Sequence, residues 1–264
     1  MRHPFKLFFT VLMLNSLSGF SQNWEVGLTA GGMGYMGDLN PHQFYKINNL
    51  AVGGIVKRNF DGYWSLKFSL LAGKVSASDA ESKYPEQVNR NLQFFSPLTE
   101  GGFQVEFNFF DFGIDYGQMR FTPYVFAGIS VFGFNPKAEY GDTVYELKYL
   151  ATEEPKADGA AYTTIATAIP IGAGVKYQLS EGLNLAAEFG FRTANTDYLD
   201  DVSQRYPVID PASSNSQIRS YFSDPSIEKI GAPEVQRGDF RKKDTYIYTG
   251  ITLSYVFRSK SCPF

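Results

Sequence analysis

The chain is poor in the residues that build most catalytic and metal centres. Its 264 residues include a single cysteine, Cys262, and two histidines, His3 and His42. One cysteine cannot make an internal disulfide framework, and no Cys-His spacing of a zinc site appears. A phosphate loop and a nucleophile elbow are missing as well. His42 lies next to Pro41 and near Asp38. A hydrolase of Asp-His type would need that imidazole in a positioned constellation, so the expectation is an exposed loop histidine and no enzymatic activity. Basic charge is not in excess: Lys+Arg 24 against Asp+Glu 27 gives a formal net charge of −3 and no patch to meet nucleic acid. Beyond the N-terminal stretch no run reaches 18 apolar residues. That excludes transmembrane helices there and leaves soluble export or a β-barrel.

Aromatic residues, by contrast, are abundant at 16%, with Tyr 17 and Phe 24, yet mean hydropathy is only −0.21. A barrel in lipid has this combination, because lipid-facing apolar residues alternate with polar lumen residues. At the N-terminus, Arg2, His3 and Lys6 flank an apolar run from Leu7 to Leu17, and Gly19-Phe20-Ser21 supplies small residues for cleavage. Residues 1–21 therefore read as a secretory signal peptide and 22–264 as the mature chain. A lipoprotein would need a cysteine at the cleavage point, so lipid anchoring by that route is not expected.

The stretch Asp244 to Phe257, DTYIYTGITLSYVF, carries the clearest instruction. Ile247, Ile251, Leu253, Tyr255 and Phe257 form one apolar face, and Tyr246, Tyr248, Gly250, Thr252 and Ser254 a more polar one, a period of two. At ~3.3 Å per residue and a tilt of ~40°, this strand rises roughly 35 Å, more than the ~25 Å apolar band of an outer-membrane barrel. The same alternation recurs in Trp24 to about Gly37, Leu50–Asn59, Tyr63–Ala77, Leu92–Phe109, Phe121–Phe134, Thr163–Leu179 and Leu183–Thr196. Asp61-Gly62 marks a tight hairpin. The connections alternate long and short, with long loops at 38–49, 78–91, 135–162 and 197–243. The expectation is all-β: an eight-stranded antiparallel transmembrane β-barrel with short periplasmic turns and long extracellular loops, in the bacterial outer membrane with both termini periplasmic. A soluble lipocalin-like barrel would put its larger side chains inward, whereas here the inward set is rich in glycine and charge.

Six inward charges follow from the alternation: Glu25, Lys67, Glu106, Lys176, Glu188 and Arg192, three of each sign. Eight strands leave room only for side chains, so a hydrogen-bonded plug is expected in preference to a proton or ion path. The long fourth loop opens with Asp197-Tyr198-Leu199-Asp200-Asp201. Hard oxygen ligands of that kind suit Ca²⁺, but the spacing and glycine of an EF-hand are missing, so a solvated rim is expected and no cofactor. Its density of Pro, Ser and Asp argues against a separate folded domain. Cys262 falls in a short periplasmic tail, 258–264, where it would either pair with another chain or stay a free thiol.

The spacing Gly250, Leu253, Tyr255, Phe257 resembles the C-terminal signal by which outer-membrane barrels are recognised for insertion. Seven further stretches occur in order: Glu25-Val26-Gly27 with Tyr35-Met36-Gly37-Asp38-Leu39-Asn40; Asn91-Leu92-Gln93-Phe94; Thr122-Pro123-Tyr124-Val125-Phe126-Ala127-Gly128; Phe134-Asn135-Pro136; Ile169-Pro170-Ile171-Gly172-Ala173-Gly174; Thr196-Asp197-Tyr198-Leu199-Asp200-Asp201-Val202-Ser203; and Asp244-Thr245-Tyr246. In this the chain resembles the PorG-like outer-membrane barrels of Bacteroidetes, a family that includes a type IX secretion system component and members without an assigned role. Where that family has a Gly-rich signature in the third loop, this chain reads Glu153-Glu154-Pro155-Lys156-Ala157-Asp158-Gly159-Ala160. The resemblance implies a non-enzymatic role beside a periplasmic ring of secretion lipoproteins, with outer-membrane lipid around it, and carries over no catalytic or ligand residues. The alternative is a surface adhesin or ligand-binding barrel acting through its extracellular loops.

Overall fold

The computed structural model describes residues 23–41, 43, 45–113, 117–153, 162–233, 235–238 and 243–257. The signal-peptide segment, His42 and the tail with Cys262 lie outside the described residues. Eight long strands follow the alternation in the sequence: β1 (Asn23–Met36), β2 (Ile47–Asn59), β3 (Trp64–Ser78), β4 (Gln93–Asn108), β5 (Phe121–Phe134), then β8 (Ile165–Ser180), β9 (Leu183–Ala194) and β10 (Thr245–Phe257). Between β5 and β8 a short hairpin intervenes, β6 (Lys137–Tyr140) and β7 (Thr143–Glu146). The expected polar loop 135–162 thus holds ordered strands. Gly141-Asp142 is its two-residue turn, with Gly141 at φ 58°, the left-handed backbone such turns require. The second long strand also begins three residues earlier than the apolar pattern suggests, at Ile47, because Asn49 and Ile47 pair with Met33 and Gly34 while Asn48 is the extra residue of a bulge between them.

Each long strand pairs antiparallel with its neighbours in the order β3-β2-β1-β10-β9-β8-β5-β4, and β4 pairs back onto β3. The sheet is therefore closed and its eight long strands have no free edge, so the ladders are paired strand to strand. The seam between the first and last strands runs from Trp24↔Phe257 to Met36↔Thr245. One ladder is interrupted: pairing of β5 with β8 stops at Ala127↔Ile171 and resumes at Ser130↔Ala168, because Pro170 has no N–H to give.

Burial alternates along most of each strand, breaking at Met33–Tyr35 and Tyr246–Tyr248, and it places the apolar residues outside. Leu28 is 75% exposed, Leu50 86% and Ile129 70%, while Glu106, Gln104 and Arg192 are buried. A water-soluble barrel would reverse that order; a closed barrel with an apolar outer belt is built for lipid. Trp24, Trp64, Tyr177 and Tyr255 are exposed near the short-turn end, beside the apolar Phe121 and Phe257, and the amphipathic Trp and Tyr rings suit a membrane–water boundary. No described helix is long and apolar enough to cross a membrane. Ile247, expected on the outer face, is instead fully buried, beside the bulge between Met33 and Gly34.

Candidate functional site

Two constellations stand out, one inside the barrel and one over its mouth. Inside, all six predicted charges point inward and are buried, and two more join them: Lys57 from β2 and Glu100 from β4. Among the described strand residues the lumen thus holds four acids and four bases rather than three of each. Glu106 is the hub, with Lys57 Nζ at 3.0 Å, Lys67 Nζ at 3.1 Å and Lys176 Nζ at 2.6 Å. Lys67 continues to Glu188 at 2.8 Å, and Lys57 to Glu25 at 3.7 Å. Arg192 lies between Glu188, at 3.5 Å, and Glu100, at 3.7 Å, and its guanidinium sits 5.0 Å from the centre of the Tyr248 ring.

Neutral donors extend the network, although Glu100 Oε1, Glu106 Oε1 and Arg192 Nε and Nη2 accept or donate no hydrogen bond among the described residues. Tyr246 donates to Glu100 at 2.5 Å, Tyr124 to Glu188 at 3.3 Å, Ser254 to Glu25 at 2.5 Å and Asn59 to Glu25 at 2.9 Å. Matched signs and the added hydrogen bonds reduce the desolvation cost of the buried charge. Both residues missed from the sequence were within reach of the same parity rule. Lys57 shares a face with Asn49 and Asn59, opposite Leu50, Val52 and Val56, and Glu100 is in phase with Gln104 and Glu106.

Over the mouth, the long loops fold into a cap. The second connection carries a short helix, α1 (Pro85–Arg90), closed by Asn91 in the left-handed region at φ 57°. Arg90 at its end forks onto Asp79, at 2.7 and 2.9 Å, and also donates to the carbonyls of Asp38 and Arg237. The fourth loop carries α2 (Ser216–Ser223). Arg237, itself buried, donates to Glu153 at 3.1 Å and to the carbonyls of Asp201, Ser223 and Phe222, tying the third and fourth loops together. Tyr162 stacks on Tyr198 with ring centres 4.5 Å apart and donates to Asp201 at 2.6 Å. Apolar residues of the cap, including Leu147, Leu199, Val202 and Phe222, pack in one cluster with Met33, Phe132 and Tyr246 of the barrel.

The carboxylates expected at a solvated rim are therefore buried. Asp200, Asp244 and Asp38 bring one oxygen each within 4.8 Å of the others. The Tyr35 hydroxyl lies 2.5 Å from Asp200 Oδ2 and 3.0 Å from Asp244 Oδ1, its one proton available to either, and the backbone N–H groups of Val202 and Leu199 donate to Asp200 and Asp244 respectively. Burial, and then mutual repulsion with the neighbouring aspartates, pushes Asp200 and Asp244 well above the usual carboxylate range. Burial also raises Asp201, to about 6, against the opposing pull of Arg237. Asp197 stays half-buried and does not join the trio. Composition gave no hint of this burial, because it depends on a partner on β1, Tyr35, 165 residues away from Asp200.

A cavity of about 250 Å³ lies under this cap, with Leu39, Leu92, Asp200, Tyr221, Phe222 and Arg237 among its walls. His42 belongs to the undescribed residues.

Comparison with solved structures finds other eight-stranded membrane barrels at low similarity. The N-terminal barrel domain of Pseudomonas aeruginosa OprF is 12% identical with a TM-score of 0.38, covering 90% of this chain and 100% of that one. Yersinia pestis Ail, the attachment invasion locus protein, is 10% identical with a TM-score of 0.37, covering 89% and 97%. Neisserial surface protein A gives 10%, 0.37, 89% and 97%. No curated protein matches the chain. A family model of a domain of unknown function, DUF6089, matches residues 3–211. The chain belongs to the DUF6089 family.

Proposed function

We propose that this protein is a non-enzymatic outer-membrane barrel that anchors a protein assembly, a component of the type IX secretion machinery that meets its periplasmic lipoprotein ring. The observation that carries the reading is the lumen. Eight paired charges and their hydrogen-bonding partners fill it, so the barrel offers surfaces rather than a passage or a reaction centre. The short-turn end, with its aromatic girdle and the tail that follows β10, faces the periplasm in this reading. The secretion role itself rests on the PorG-like stretches. Four of the seven converge at the mouth through Tyr35, Asp38, Leu92, Asp200 and Asp244, the residues that seat the cap.

Cross-linking of whole cells, followed by identification of what is attached to this chain, tests the proposal. Attachment to ring lipoproteins, reduced in a Cys262→Ser variant, is the expected result. An intact secretion complex isolated repeatedly without this chain would overturn it. A second reading, a surface adhesin or ligand-binding barrel, is favoured by apolar side chains left exposed on the fourth loop, Val208, Ile227 and Ile230. Under that reading, deleting 207–238 abolishes surface attachment of cells and leaves secretion intact.

A further inference from the structure

The outer wall of the barrel is not uniformly convex. A groove of about 460 Å³ crosses β3, β4, β5 and β8, within the roughly 300–1,000 Å³ of small-molecule clefts. It starts near Phe68, in the turn-side half of β3, and climbs to the loop-side ends of β8 and β9. Phe68, Phe103, Ile129, Val131 and Ile169 form its walls. Gly101 faces outward and forms part of the floor, so the wall is recessed there by the lack of a side chain. The ladder break at Pro170 lies along the same path.

The upper end has different chemistry. Thr167, Thr193, Asn195 and Lys243 line it, and all four are exposed. Hydroxyls, an amide and an ammonium thus stand directly above an apolar trench, at the height where the strands end and the long loops begin. An amphiphile with an acyl chain below and a net-anionic phosphate head above matches both ends: the chain fills the trench, and the head takes the ammonium and the neutral donors. Free phosphate would leave the trench empty, and an uncharged hydrocarbon would leave Lys243 and three polar side chains facing it without use.

We propose that this groove is a binding site for a net-anionic, phosphate-bearing membrane lipid, its acyl chain lying over Gly101 and its phosphate held by Lys243 with Thr193 and Asn195. The site is independent of the secretion role and of the cap.

The test uses the full mature chain in nanodiscs of nine parts phosphatidylcholine to one part phosphatidylglycerol, released into native mass spectrometry. Wild type is expected to keep one phosphatidylglycerol in preference to phosphatidylcholine. Lys243→Gln should lower that preference about 5-fold, the worth of one lysine near an anionic membrane surface. Gly101→Leu should lower retention of both lipids, since a Cβ there meets only the Leu70 Cδ2 methyl at 3.2 Å and the added chain occupies the trench. A heat-sensitive shift in gel mobility checks that each variant is folded, and Lys243→Gln, at an exposed loop position, carries the test alone if Gly101→Leu misfolds. Equal retention of the two lipids, an unchanged preference in Lys243→Gln, displacement by inorganic phosphate alone, or a dimer that hides the groove would each overturn the proposal.

Discussion

Glu106 carries more of the interior than any other described side chain, because three lysines from three strands converge on it. Removing it leaves buried ammonium groups without their shared counter-ion, and breaking a buried pair in this way costs about 3–5 kcal/mol. Glu106→Ala is therefore expected to lower the urea midpoint of unfolding in lipid vesicles strongly. Glu25→Gln should cost less, since Lys57 keeps Glu106. Equal costs would mean the network is not centred where the distances place it. Asp201 makes a different prediction. Its carboxyl sits at about 6 in the folded protein, above the ~3.9 of an unfolded aspartate. Between those values the folded state keeps a proton that the unfolded state has released, so stability of the cap falls as pH rises from about 4 to 6 and stays low above that. Asp200 and Asp244 are displaced in the same direction and extend the fall to higher pH. Hydrogen exchange across Thr196–Arg237 should be slower at pH 5 than at pH 8, with Asp201 alone contributing about 1.4 kcal/mol of opening energy over the single pH unit between 5 and 6, and Asp201→Asn should flatten that part of the difference. Protection that rises with pH would contradict the burial of these carboxylates.

The strands themselves were legible because a period of two is local: each lipid-facing residue is followed by a lumen-facing one, and a window of ten residues carries the signal. Lys57 and Glu100 obey that phase, yet the glycine pairs Gly53-Gly54 and Gly101-Gly102 beside them blur the apolar face by which it is recognised. The cap was not legible, since its ties run between distant loops: Arg90 to Arg237, Arg237 to Glu153, Tyr35 to Asp200. The β6–β7 hairpin lay between these cases, announced only by Gly141-Asp142. Closure of the barrel depends on tight approach at the seam of β1 and β10, where Gly31 pairs with Gly250. A Cβ on Gly31 would lie 2.0 Å from the Thr249 carbonyl oxygen and 2.5 Å from the Gly250 Cα, both backbone atoms that cannot step aside. Gly31→Val is therefore expected to abolish the heat-sensitive gel shift of a closed barrel, whereas Gly54→Ala, which meets nothing nearer than 3.7 Å, should keep it. Retention of the shift in Gly31→Val would mean the seam is looser than the register implies.

Taken together, the molecule turns its chemistry inward and its apolar surface outward, and closes one end with folded loops. That arrangement ties the sequence pattern to the proposed function, in which this DUF6089 barrel acts through its rims, its loop surface and its lipid-facing wall. The most direct test is electrical. Purified protein inserted into a planar bilayer, oriented and at high salt, is expected to show no stepwise conductance, and Glu106→Ala is expected to introduce leak by loosening the plug. Stable unitary steps from the unaltered protein would show that ions pass through the barrel, and would contradict the account of a sealed barrel that works through its surfaces.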